Sequence, residues 1–132
     1  MGKKTEKSSC PCGGEDFARC CGRFIERGEI PSTAEELMRS RYTAYTLQKE
    51  DYLRDTWHAG TRPEEGVTQD GAKWLGLEVR KHARNGDEAK VEFVARYRLG
   101  ARAYRLHEIS RFLRENGRWY YVDGEFPGEA KS

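Results

Sequence analysis

Residues 73–123 read KWLGLEVRKHARNGDEAKVEFVARYRLGARAYRLHEISRFLRENGRWYYVD, and the period of this stretch decides the fold. Leu75, Leu77 and Val79 alternate with Gly76, Glu78 and Arg80. Phe93, Ala95, Tyr97 and Leu99 alternate with Val94, Arg96 and Arg98. A period of two is that of a strand with one buried face. Residues 103–115 and 118–123 continue as strands. The joins are turn chemistry: Asn85-Gly86, Gly100-Ala101 and Asn116-Gly117. Asn-Gly suits the tight hairpin turn in which both central residues take positive φ. Short connections between successive strands imply a four-stranded antiparallel meander.

Upstream, the period lengthens. Ser32-Thr33-Ala34-Glu35 and Thr33-Ala34-Glu35-Glu36 both place a hydroxyl three residues before a carboxylate, which predicts a helix start there. Leu37, Met38, Arg41, Tyr42 and Tyr45 then recur at helical spacing. A second short helix fits residues 49–58, with Tyr52, Leu53, Thr56 and Trp57 on one side. Residues 59–72 read as a loop. Helices followed by a meander make an α+β domain. One sheet face packs on the helices, and a curved sheet wrapped around helices leaves a cone with a mouth able to hold a ligand.

Length and composition agree. The chain has 132 residues, of which 36% are hydrophobic and 35% charged, with three Trp, seven Tyr and five Phe. That is one domain with room for a small appendage. No apolar run approaches the roughly 20 residues of a spanning helix, and no secretory signal is seen at the N-terminus. A cytoplasmic location is expected. The net charge is +2. Residues 1–28 hold six basic and four acidic side chains, so the excess sits there. Bulk charge does not favour direct nucleic-acid binding.

All four cysteines lie within residues 10–22, CPCGGEDFARCCG. Cys10, Cys12, Cys20 and Cys21 make two tight pairs joined by a short loop, which can close a tetrahedral zinc site. Iron also suits four thiolates. The alternatives are a redox thiol pair, a disulfide, or unliganded thiols. Phe17 offers an apolar anchor for docking this knuckle. Thirteen residues cannot bury a core, so metal would supply the folding energy of the segment. Three segments follow: residues 1–28 as a flexible tail plus knuckle, 29–126 as the α+β domain, and 127–132 as a tail.

Residues 10–22 resemble the SEC-C motif, the zinc knuckle named from the tail of the SecA translocation ATPase. That motif reads C-x-C-G-S-G, then a short loop and Cys-Cys or Cys-His. Here Gly13-Gly14 replaces the Gly-Ser-Gly pattern and the loop is one residue shorter. The blocks LMRSRYTAY, TWHAGTRP, VEFVARY, HEISRFLRE and GRWYYVDG resemble the YchJ-type family of bacterial proteins. The resemblance runs from Cys10 to Gly124. It implies a domain like nuclear transport factor two (NTF2), of the cystatin-like cone type, with one SEC-C motif at its N-terminal side. It supplies no biochemical activity.

Two functions are therefore expected. The first is a metal-binding adaptor. Its knuckle presents a basic surface, with Arg19, Arg23, Lys3 and Lys4, to a protein or ribonucleoprotein partner. By resemblance to the SecA tail, that partner is a chaperone or the ribosome. The alternative is a small-molecule-binding protein or enzyme using the cone. Glu108, sharing a strand face with Leu106 and Ser110, would be its base or anchor, with Trp57, His58 and Trp119 lining the pocket. A plainer reading pairs Glu108 with Arg96 or Arg111, puts His58 at a helix C-terminus, and buries the three tryptophans as core. No catalytic triad is seen, and an enzyme is the less favoured reading. The run Arg96, Arg98, Arg102, Arg105, Arg111, Arg114 and Arg118 reads more simply as a solvated sheet face than as an RNA surface. A homodimer through the sheet is also open.

Overall fold

The protein is described by a computed structural model covering residues 9–14, 16–64, 66–67 and 71–127. The tail at 1–8, including Lys3 and Lys4, and the stretch 128–132 lie outside the described residues, as do four positions of the 59–72 loop.

Four helical pieces precede four strands. A single 3-10 turn spans Phe17–Arg19, followed by α1 (Gly22–Ile25), α2 (Ala34–Leu47) and α3 (Glu50–Asp55). The strands are β1 (Ala72–Asn85), β2 (Glu88–Leu99), β3 (Arg102–Glu115) and β4 (Arg118–Glu125). They form one antiparallel sheet in sequence order, the meander that the turns predicted.

Thr33 is the N-cap of α2: its Oγ1 accepts from Glu36 N at 3.1 Å, while Glu36 Oε1 accepts from Ser32 N at 2.9 Å. The helix ends at Gln48 in the left-handed region, with Lys49 N donating back to Ala44 O at 2.9 Å. Its buried side is Leu37, Met38, Arg41 and Tyr42, laid against the sheet. Leu37 and Leu53 are fully buried. Each contributes about 2 kcal/mol relative to an exposed position.

Three local expectations are corrected. First, a bulge between Trp74 and Gly76 shifts the alternation of β1. Trp74 turns inward against Tyr42, with ring centroids 5.6 Å apart, and Leu75 is left 49% exposed. A bulge adds one residue, so an even spacing no longer marks one face. Second, the first hairpin pairs Asn85 with Glu88, so Gly86-Asp87 is its turn. Asp87 is tied down by Arg114, whose backbone N donates to Asp87 O at 2.8 Å and whose Nε donates to Oδ1 at 2.9 Å. The third hairpin does use Asn116-Gly117, at φ 52° and 81°. Third, α3 stops at Asp55. Trp57 forms a parallel bridge to Tyr121, and His58 N donates to Tyr121 O at 2.8 Å. The chain leaves the helix because β4 offers this partner.

Candidate functional site

Two buried polar constellations lie on either side of α2. The first is the knuckle. Gly13 N donates to Cys10 O at 3.0 Å, and Cys10 N donates to Gly14 O at 3.2 Å, closing the loop between the cysteine pairs. A Cβ on Gly14 would stand 2.7 Å from Cys20 Sγ, so this position has room for glycine alone. The four Sγ atoms all lie within 4.8 Å of one another, with Cys12 and Cys20 at 3.5 Å and Cys20 and Cys21 at 4.0 Å. A tetrahedral ion with metal–sulfur bonds of about 2.3 Å requires sulfur–sulfur distances of about 3.8 Å. The donor set therefore fits a metal ion. None of the four is in a disulfide.

Electrostatics favour a cation at this point. Burial pushes the Cys20 thiol up to about 11. Hydrogen bonds to Cys10 and Cys12 raise Cys21, while those from Cys12 and Cys21 lower Cys10. These sulfurs share protons because they cannot all carry charge side by side, and a divalent ion removes that conflict.

The knuckle is docked on the domain. Cys10, Cys12 and Cys21 belong to the same contiguous core cluster as Leu37, Met38 and Tyr42. Cys10 Sγ lies 3.7 Å from Thr43 Oγ1, and Arg39 Nη1 donates to Cys12 O at 3.0 Å. Phe17 packs against the cluster as anticipated, and Phe24 of α1 is buried. Of the expected steering charges, Arg23 folds back, with Nε donating to Cys20 O at 3.0 Å and its guanidinium 4.4 Å over the Phe24 ring. Arg19 keeps a side chain 85% exposed.

The second constellation is the floor of the cone. A cavity of about 330 Å³ opens between α2 and the concave sheet face. Its walls are apolar and aromatic, with Tyr42, Trp57, Trp74, Phe93, Phe112 and Phe126 among them. Glu108 lies at its floor, 7% exposed. Ser110 Oγ and Tyr121 Oη donate to the same oxygen, Oε2, at 2.9 and 2.8 Å. Gly124, beside Ser110 in the register, makes the space: a Cβ there would collide with the Glu108 carboxylate. Burial raises the Glu108 pKa above the usual carboxylate range, against the lowering effect of the two hydroxyls and of Arg41. The Tyr121 phenol is pushed up by its own burial and by Glu108.

Arg41 is the group that sequence reasoning missed. It is 4% exposed and also lines the cavity. Its Nη1 donates to Leu53 O at 2.9 Å and Thr56 Oγ1 at 2.7 Å, and its guanidinium sits 4.6 Å over the Tyr121 ring. Tyr121 thus joins the two charges, by its face to Arg41 and by its hydroxyl to Glu108. The signal was available: Arg41 is the one charge on the apolar stripe of α2.

The other proposed lining residues separate. Trp57 is a wall of the cavity. His58 and Trp119 are not, which corrects that expectation. His58 follows the bridge outward, and its Nε2 meets Glu115 Oε2 at 2.8 Å. Trp119 is buried at the hairpin end of the sheet, with the Arg84 and Arg114 guanidinium groups 5.5 and 5.4 Å from its ring. The Arg partners expected for Glu108 go elsewhere: Arg111 pairs with Asp123 at 2.8 Å, and Arg96 faces the opposite side of the sheet. Among the described residues, no helix is long and apolar enough to cross a membrane.

Known proteins resemble this chain in sequence and fold. A family model described as the middle NTF2-like domain of YchJ matches residues 33–124. A UPF0225 protein of Chromobacterium violaceum is 52% identical over 129 residues, covering 92% of this chain and 96% of its own. One from Methylibium petroleiphilum is 53% identical over 118 residues, covering 88% and 87%. The solution structure of a SEC-C motif containing protein from Rhodopseudomonas palustris superposes with a TM-score of 0.81 at 33% identity, covering 90% of this chain and 98% of that one. The crystal structure of a SEC-C motif containing protein from Psychrobacter arcticus gives 0.73 at 26% identity, covering 88% and 81%. With the NTF2-like family model matching residues 33–124 and UPF0225 relatives about half identical over nearly the whole chain, the chain belongs to the YchJ-type UPF0225 family.

Proposed function

We propose that the protein is a small-molecule-binding domain whose working site is the cone, with the knuckle as a structural zinc site that braces α2. The observation carrying this reading is the Glu108 carboxyl, buried at the floor of an open apolar cavity with no salt-bridge partner among the described residues. A carboxyl in that setting is costly unless it does something, and it is held in place by Ser110, Tyr121 and the gap over Gly124. Arg41 and Glu108 offset each other in charge, so the floor suits a neutral ligand that both donates and accepts hydrogen bonds. The aromatic walls suit a compact apolar body. Glu108 is the anchor and Arg41 the donor.

Zinc fits the knuckle best among metals, because four thiolates at tetrahedral spacing in a non-redox, buried setting are the hallmark of structural zinc. The protein resides in the cytoplasm, where such thiols stay reduced. Residues 9–29 form the knuckle and 33–126 the cone domain, packed as one body.

The test is a titration with 2-naphthol, a neutral fused aromatic carrying one hydroxyl, followed by NMR. Shifts should concentrate at Arg41, Trp57 and Tyr121, and Glu108→Gln should weaken binding about tenfold. Shifts confined to the outer sheet face would refute the reading. A second reading, the adaptor, is favoured by Arg19, whose side chain is 85% exposed on the knuckle beside Asp16. It gains if Arg19→Glu abolishes co-purification of a chaperone or ribosome while naphthol binding is intact.

A further inference from the structure

The outer face of the sheet is divided by charge. Toward the hairpin that joins β1 to β2, several of its cationic or titratable side chains have carboxylate partners: Arg111 with Asp123 at 2.8 Å, Arg80 with Glu78 at 3.4 Å, and His107 with Glu92 at 2.7 Å, while Lys90, across from Arg111, has none among the described residues. At the opposite end the pattern stops. The register puts Lys73 directly across from Arg98, and Arg96 directly across from Arg105. Each flanks an inward residue (Trp74, Ala95, Tyr97 or Leu106), so all four point outward together. All four are exposed, and among the described residues none has a carboxylate within salt-bridge reach. The positions between them on this face are Gly76 and Ala103, which screen nothing.

Directly opposed residues have Cβ atoms about 5 Å apart, and like charges so placed work against the fold. Two such pairs side by side are a cost with no structural return. We propose that this end of the sheet, Lys73, Arg96, Arg98 and Arg105, binds the phosphate backbone of a single-stranded nucleic acid without reading its sequence. Three of the four are arginines, whose planar fork matches phosphate oxygens in pairs. The four cations are separated by Gly76 and Ala103 with no apolar cluster at their centre, although Leu75 is half exposed at the bulge beside Lys73, whereas a protein partner would be met by an apolar centre. The net charge of +2 hides this patch, because the carboxylates that cancel it lie elsewhere on the molecule.

The experiment is fluorescence anisotropy of a labelled oligouridylate of about 20 nucleotides with the full zinc-loaded chain, across a salt series. Four phosphate contacts on a single strand give a slope of log K against log salt of about −3. Arg96→Glu should weaken binding at least tenfold and, by turning a like-charge pair into an opposite one, should leave the melting temperature equal or higher. Arg96→Gln should weaken binding less and flatten the slope by about one contact's share. Unaltered binding by Arg96→Glu overturns the proposal. So does a polyglutamate of equal charge that competes as well as the RNA, since the patch would then be a general acidic-protein surface.

Discussion

The knuckle and the cone floor are both buried polar clusters, yet they are built in opposite ways. All four sulfurs of the knuckle come from residues 10–21. The floor takes Arg41 from α2, Glu108 and Ser110 from β3, and Tyr121 from β4. In the knuckle four thiols crowd one point, where they cannot all ionise together without a cation. The floor balances itself: Arg41 lies over the Tyr121 ring, and Tyr121 donates to Glu108. One cluster has the geometry for an ion, while the other satisfies itself with side chains and borders a cavity. The two meet at α2, where Thr43 and Arg39 reach the knuckle and Met38 and Tyr42 lie both in its core cluster and along the cavity.

The largest expected effect breaks the knuckle. Cys21→Ser leaves three thiolates and should cost about 4 kcal/mol, a loss of roughly 15 °C in melting temperature, with loss of bound metal. Because Cys21 is buried in the common core, the whole domain should melt earlier, and not the knuckle alone. Calorimetry with and without chelator separates the two outcomes.

Next is Gly124→Ala, which drives a Cβ into the Glu108 carboxylate. Overpacking of this kind costs about 2 kcal/mol and should displace the anchor. Denaturant midpoints report the first effect and naphthol affinity the second.

A smaller effect sharpens the floor. An acid whose folded pKa is raised holds its proton longer in the native state than in the unfolded one. The Glu108 contribution is therefore most favourable below the unfolded carboxyl pKa of about 4.3 and is lost as pH rises through the higher folded value. Glu108→Gln should flatten the fall of stability across that window in pH-dependent denaturation. Asp123 has the opposite sign. Arg111 lowers its pKa, so its contribution is present at neutral pH and disappears as pH falls below the ordinary carboxyl range. Both side chains of this pair are about half exposed, so Asp123→Asn should cost under about 1 kcal/mol in urea unfolding.

The reach of sequence reading follows the same division. The cysteine cluster was legible because local spacing alone brings the four side chains together. The meander was legible because alternation and turn residues are short-range signals, and Glu108 was found from its place on the inward face of β3. His58 and Trp119 were misplaced because their positions depend on Trp57 bridging to β4 and on which end of the sheet holds Trp119, which are long-range facts. Leu75 was misread because a bulge leaves no mark in residue period. Arg41 was visible on an apolar helix face but was not weighed, since its acceptors, Leu53 and Thr56, lie beyond the end of α2.

The central claim is that one helix couples metal and pocket. It is tested by measuring 2-naphthol affinity of the reduced full-length chain as purified, after treatment with a chelator, and after zinc is added back. The account expects affinity to fall when the ion leaves, through loosening of α2 and its Arg41, and to recover on reloading. Unchanged affinity in the metal-free protein would contradict it.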